Sequence, residues 1–396
     1  MQQPGTPSIA TLSQSAMRAM AARDFATAQA LLLRVLGMDR TSIPAWLNLA
    51  AVRRQLDDDN GALAALHEVL KLQPRNFPAL LMKASLLDKR GDMKAAATAY
   101  GIALAQAPAD HYLDPPTLQA VERAREVHSK YTAELDEFIR ARVADTQSQC
   151  SPSERKRIDS FIRTTLRTQK RYQQEPLEYY YPGLAPIEFY DRKEFPWLEE
   201  LEAATPEIQR ELDTILREDR EDFKPYIRYD EHLPLDQWRE LNHSPRWTAF
   251  HFYDKGEPIE AHCRRAPATM EAITRLPQAK VPLRSPSALF SVLQPKTRIP
   301  PHNGVANFRL LVHLPLILPG GCGFRVGSET REWRLGEAWV FDDTIEHEAW
   351  NDSDQIRIIL ICDIWNPRLS EEERAAICEV IAATDAFRGT VPSSSV

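Results

Sequence analysis

From Ile9 to Pro108 the apolar residues recur at helical spacing, mostly Ala and Leu, between short polar turns. The pattern also returns along the chain at a period of about 34 residues, which marks helix-turn-helix repeats. Pro44-Ala45-Trp46 comes back as Pro78-Ala79-Leu80. The clearest unit carries Trp46, Ala50, Ala62, Leu66 and Pro74. The next carries Leu80, Ala84, Ala96, Tyr100, Ala103 and Pro108, and a weaker one before them has Leu12, Ala16, Ala28, Leu32 and Val35. Small residues let paired helices approach, and larger ones fill the gap between stacked pairs. Asp59-Asn60-Gly61 and Gly91-Asp92 are predicted to form turns. Residues 117–147 continue with apolar positions three and four apart. Residues 151–174 read as a basic helix with a solvated face, carrying Arg155, Arg163, Arg167 and Arg171.

After Glu175 the pattern changes. Prolines and aromatics rise, as in Tyr179-Tyr180-Tyr181-Pro182 and Phe195-Pro196-Trp197, and one amphipathic helix is predicted near 206–220. Short runs of strand-forming residues then alternate with turns, at 248–253, 288–293, 308–317, 323–326, 337–341 and 356–364. Many short strands at such spacing suggest a sandwich or jelly roll. The repeats resemble the tetratricopeptide family. The expected fold is therefore α + β and multidomain: a tetratricopeptide-like helical solenoid followed by a double-stranded β-helix. The boundaries are a flexible N-terminus 1–8, repeats 9–147, a helical linker 148–178, the β domain 179–384 and a flexible tail 385–396.

Composition narrows the classes of function. A net charge of −7 over 396 residues gives no basic footprint for nucleic acid. Cys150, Cys263, Cys322, Cys362 and Cys378 are scattered and odd in number, with no CxxC pair, which points to a reducing compartment. No basic segment followed by an apolar run opens the chain, and no apolar run is long enough to span a bilayer. The expectation is a soluble cytoplasmic protein with no membrane or nucleic-acid partner.

Candidate chemistry lies in the β region. Pro301-His302-Asn303-Gly304 follows a predicted strand and a proline-rich turn, and His347 follows Trp339-Val340-Phe341 and an acidic turn. Arg357 opens the last strand. Two histidines read as ligands of a non-heme Fe(II), and a buried arginine needs a carboxylate. The usual third ligand is a carboxylate two residues after the first histidine, and that position is Gly304. Asp342, Asp343 and Glu346 flank His347; any of them is a candidate third ligand, but the spacing fits none well, and the first reading is a turn former or a residue that orients a ligand imidazole. Trp333, Trp339, Trp350 and Trp365 read as core.

Residues 179–369 resemble the aspartyl/asparaginyl β-hydroxylase family of Fe(II)- and 2-oxoglutarate-dependent oxygenases. The resemblance rests on Phe290-Ser291-Val292-Leu293-Gln294-Pro295, Pro301-His302-Asn303-Gly304, the stretches 307–313 and 341–350, and 357–367. It implies Fe(II) on His302 and His347. It implies 2-oxoglutarate held by Ser291 and Arg357 at its far carboxylate, with His313 near the other. Glycine at the carboxylate position occurs in the family, so Gly304 fits. The family's animal members have a second arginine where this chain has Leu311; Arg309, of the same strand parity, is expected to substitute. The implied activity is O₂-dependent hydroxylation of the β-carbon of Asp or Asn, or a related side chain, in a peptide or protein that the repeats recruit. The alternative is a peptide-binding scaffold whose β domain has lost turnover, favoured by Gly304 and Leu311.

Overall fold

The computed structural model describes residues 7–230, 232 and 234–389. By contacts the chain divides into two compact units, Met1–Ile162 and Arg163–Val396. Of the segments expected to be flexible, residues 1–6 and 390–396 lie outside the described residues, whereas 385–388 complete the last helix.

In the first unit six helices form three pairs: α1 (Ile9–Ala21) with α2 (Phe25–Met38), α3 (Ile43–Gln55) with α4 (Asp59–Leu72), and α5 (Phe77–Lys89) with α6 (Met93–Leu104). The first helices of successive pairs start 34 residues apart, as do the second helices. The repeats are tetratricopeptide-like, as the sequence pattern predicts. Ala16, Ala28, Ala50, Ala62, Ala84 and Ala96 are fully buried where helices cross. Ser8, Asp24, Asp58, Asn76 and Asp92 accept hydrogen bonds from backbone N–H groups of the first turn, which caps those helices. The turn inside each pair needs one residue at positive φ. Arg23, Asp57 and Gly91 supply it, again 34 residues apart. Gly61, predicted to lie in a turn, instead sits in the first turn of α4, against the capping carboxylate of Asp58. The long α7 (Pro115–Ser148) buries Val121, Ala124 and Val127, and α8 (Pro152–Thr165) follows.

The linker expected to be helical over 148–178 is helical only as far as Thr165. Beyond it the chain runs extended in the second unit. Backbone N–H groups of Glu175, Leu177 and Tyr179 donate to carbonyls of Thr344, Gly304 and Val305.

The second unit has β1 (Lys224–Pro225), β2 (Trp247–His251), β3 (Tyr253–Asp254), β4 (Glu257–Pro258), β5 (Ala288–Leu293), β6 (Thr297–His302), β7 (Arg309–Ile317), β8 (Cys322–Val326), β9 (Glu329–Arg331), β10 (Trp339–Phe341), β11 (His347–Asn351) and β12 (Arg357–Trp365). Six of them form one antiparallel sheet in the order β1-β2-β5-β12-β7-β10, and four form a second, β6-β11-β8-β9. Helices α9 (Leu198–Ala203), α10 (Thr205–Glu218), α11 (Glu260–Arg265), α12 (Pro267–Thr274) and α13 (Glu371–Arg388) complete the unit.

The larger sheet is buried on both faces, and strand alternation sorts its side chains. Even-numbered residues of β5, β7 and β12, among them Phe290, Val312, Leu314, Leu360 and Ile364, pack with Ile208, Leu212 and Ile215 of α10. Odd-numbered residues such as Leu293, Leu311 and Ile359 pack with Ile299, Phe324, Val326 and Ala349 of the smaller sheet. Ser291, Arg309, His313 and Arg357 share that odd parity, so they belong to the face between the sheets. Among the described residues neither sheet closes on itself. The double-stranded β-helix expected above is carried only as far as this open two-sheet stack.

Candidate active site

His302 ends β6, His347 opens β11, and the two are direct Cα partners across that antiparallel pair. Their ring centroids lie 4.0 Å apart. β6 contains Pro300 and Pro301, which is why the sequence reads there as a turn; as an edge strand it tolerates the missing donors. His302 Nδ1 is 2.8 Å from the Pro300 carbonyl oxygen, and His347 Nδ1 is 3.1 Å from that of Ile345. With Nδ1–H donating to those carbonyls, each ring keeps the lone pair on Nε2 for a ligand bond. Burial pushes the two pKa values down to about 3 and about 4, so both rings are neutral at pH 7. Two convergent neutral imidazoles suit a borderline divalent metal. Among the described residues no group of three or more His, Cys, Asp or Glu is placed to hold a metal.

Gly304 explains where a carboxylate went. A Cβ built on it would lie 2.1 Å from Asp343 Oδ2. The space of a residue-304 side chain is thus filled from the turn before the second histidine. The Gly304 N–H donates to the Asp343 carbonyl at 2.6 Å, which ties the two turns together. Arg309 Nη2 donates to Asp343 Oδ2 at 3.1 Å, while the buried Oδ1 has no partner among the described residues. Burial pushes the Asp343 carboxyl up, against the pull of Arg309 and His302. Sequence reasoning could not choose among the three acids near His347, and their partners do. Asp342 accepts from Thr344 and Gln174, Glu346 from Arg325, and only Asp343 faces Gly304.

Arg309 therefore has a partner already. It lies opposite Trp365 on β12 and pairs with Asp343 in the turn before His347. His313 is in register with Ile361 of β12 on one side and Trp339 of β10 on the other.

Arg357 is 2 % exposed, yet among the described residues no carboxylate pairs with it. Its Nε is buried without a partner, as are His313 Nδ1, Trp333 Nε1 and Trp339 Nε1. Burial pushes the guanidinium down to about 10, with the Cys322 thiol pulling the other way, so it stays cationic at neutral pH. Burial and the Arg357 charge keep His313 neutral. Ser291 is fully buried, and its Oγ accepts from Trp247 Nε1 at 3.0 Å, leaving the hydroxyl proton to donate elsewhere. Tyr226 stacks on Trp247 at 3.9 Å, and the edge of Trp238 meets the His302 ring at 5.1 Å. Sequence reasoning did not single out Trp238, Trp247, Tyr226 or Gln174. Their signal is register, which a single sequence does not print.

Residues 202–367 match the family model described as Aspartyl/asparaginyl beta-hydroxylase. The human aspartyl/asparaginyl beta-hydroxylase is 30% identical over 183 residues, 46% of this chain and 24% of that protein. An ornithine lipid ester-linked acyl 2-hydroxylase of Rhizobium tropici is 31% identical over 201 residues, 49% of this chain and 66% of that protein. The matches thus span from about a quarter to just under two thirds of these relatives' own lengths. On the helical side, the Arabidopsis OM64 TPR domain is similar at 15% identity with a TM-score of 0.27, covering 31% of this chain and 95% of that one. Among the described residues no helix is long and apolar enough to cross a membrane. Both histidines, Gly304, Asp343, Ser291, His313 and Arg357 all fall inside residues 202–367, the segment over which the chain matches the aspartyl/asparaginyl β-hydroxylase family model.

Proposed function

We propose that the chain is an Fe(II)- and 2-oxoglutarate-dependent dioxygenase that hydroxylates a carbon next to a carbonyl in a peptide or protein substrate. The observation that carries this reading is the buried, unpaired Arg357 in the interior that also holds the histidine pair. A cation kept dry without a counterion is costly unless a ligand supplies the charge. Guanidinium geometry favours a carboxylate. Ser291 would donate its hydroxyl proton to the same carboxylate, and His313, neutral and unpartnered at Nδ1, would meet the other end of a dicarboxylate. His302 and His347 would hold Fe(II), which with O₂ as oxidant and 2-oxoglutarate as the co-reductant, spent to succinate and CO₂, would supply the chemistry for inserting one oxygen atom into a C–H bond. Asp343 would orient the site from the space that Gly304 vacates, with Arg309 holding it. The aromatic wall of Trp238, Trp247 and Tyr226 would exclude water on the His302 side.

The names of the relatives narrow the reacting carbon. The β-carbon of an aspartyl or asparaginyl residue and the 2-carbon of an acyl chain are both methylenes adjacent to a carbonyl. Such a carbon in an Asp or Asn side chain is the first candidate here. The repeats would recruit the peptide, an effect of local concentration rather than of new active-site contacts. The test has two parts. Anaerobic addition of Fe(II) and 2-oxoglutarate should produce the weak visible band of a metal–keto acid chelate. Aerobic incubation with candidate peptides should give a gain of one oxygen atom by mass spectrometry. A protein that binds neither iron nor 2-oxoglutarate would leave only the scaffold reading.

A further inference from the structure

Trp333 reads from the sequence as an ordinary core residue, and its burial agrees: it is 5% exposed, packed on Phe324 and Trp339. Two details do not fit a purely structural role. Its ring centroid lies 5.1 Å from Arg357 Cζ, so the indole is a direct neighbour of the unpaired guanidinium. Its Nε1–H is buried and has no acceptor among the described residues. A buried orphan donor costs stability unless something fills it, and an indole N–H can only donate. The neighbouring orphans are also donors or can become so: Arg357 Nε, Trp339 Nε1, whose ring centroid is 5.6 Å from that of Trp333, and His313 Nδ1, whose ring centroid is 6.3 Å away. The missing partner of these four groups is an acceptor, and one carboxylate has enough lone pairs to serve more than one of them.

We propose that Trp333 is a positioning residue for the acid bound at Arg357: its ring flanks the guanidinium and its indole N–H donates to the ligand's carboxylate. The inference rests on the proposed dicarboxylate site and adds a donor that the family resemblance does not supply. It predicts selection for length. A five-carbon dicarboxylate reaches both the metal pair and the Trp333–Arg357 end, whereas acetate satisfies one end alone.

The test uses the full chain loaded with Zn(II), which accepts imidazole ligands without redox chemistry. Binding of 2-oxoglutarate and of glutarate, which lacks the chelating keto group, is measured by calorimetry. Trp333→Phe keeps an aromatic ring and removes the donor. It should weaken both acids about tenfold, the scale of one lost hydrogen bond to a charged group. In parallel, the indole N–H resonance absent from the Trp333→Phe spectrum should move downfield in the unsubstituted protein when glutarate is added, a change that packing alone does not produce. Should Trp333→Phe fail to fold, Trp333→Tyr provides the same assignment. Unchanged affinity, or an indole resonance that does not move, overturns the proposal. Arg357→Ala separates the two levels of the argument. If it abolishes acid binding while Trp333→Phe does not, only the role of Trp333 falls. If neither matters, the carboxylate site itself falls.

Discussion

The two units spend their interiors differently. Every buried polar or charged residue among those described lies in the second unit, from Thr205 to Asn366. The first unit buries alanines, leucines and valines, with Tyr100 its largest fully buried side chain. Its ionic groups stay at the rim, as in the Arg123–Asp88 and Arg125–Asp110 pairs. The repeats are thus held by packing that any similar apolar set could reproduce. The β unit encloses Arg357, Asp343, His313 and His347, and leaves Arg357 Nε, His313 Nδ1 and Asp343 Oδ1 buried without a partner among the described residues. That contrast is what the proposed ligand site rests on.

The sharpest attack on this comparison is to remove the histidine pair proposed to hold iron. His302→Ala with His347→Ala should leave no iron after anaerobic loading and reduce turnover to background, as read by metal analysis and product formation. Asp342→Ala and Glu346→Ala should retain iron. Next in size is Arg357→Met. Cosubstrate affinity should fall by roughly 2–5 kcal/mol, the range for truncating one partner of a buried charge pair. Iron binding should persist, and the melting temperature of the unliganded protein should rise because an unpaired buried cation is gone. A fall in melting temperature would mean the guanidinium has a structural partner after all.

Leu66→Ala probes the other interior. It should cost about 3 kcal/mol in the helical unit, as a large-to-small change in a packed core, and leave the calorimetric affinity for 2-oxoglutarate unchanged. Gly304→Ala returns to the site with a smaller effect. Its Cβ must displace the Asp343 carboxylate, at a cost of about 1–3 kcal/mol in thermal melting. The smallest expected effect is Arg23→Gly. Relief at φ 57 should slightly outweigh the added freedom of the unfolded chain, for a gain of about 0.5 kcal/mol in denaturant titration.

Legibility in the sequence followed the same divide. The 34-residue offset between helix starts was readable because each repeat is a local unit that prints its own small residues, caps and turn. The branched strands β5, β7 and β12 were readable for the same reason. β6 was not, since Pro300 and Pro301 mask an edge strand. Residues 166–178 were not, because their extended path is fixed by carbonyls more than a hundred residues away. At the site, the histidines and Arg357 were legible as residue types. Their assembly is a matter of register between strands, and so is the choice of Asp343 over its neighbours. Gly304 was the one local hint, since it marks a space. Arg309 shows the limit of parity: the strand face was right, and the partner, Asp343, was invisible.

The edge position of β6 has a consequence for how a substrate can arrive. Pro300 and Pro301 lack the N–H groups with which a strand recruits another along its free side, and among the described residues only β11 pairs with β6. A peptide approaching His302 along that edge cannot extend the sheet and borrow its ladder of backbone bonds. Its grip has to come from side-chain contacts near the histidine pair or from binding elsewhere on the chain. On the proposed reading, such an edge would make the reaction insensitive to the backbone conformation of a peptide target and would leave the choice of target to whatever holds that peptide in place.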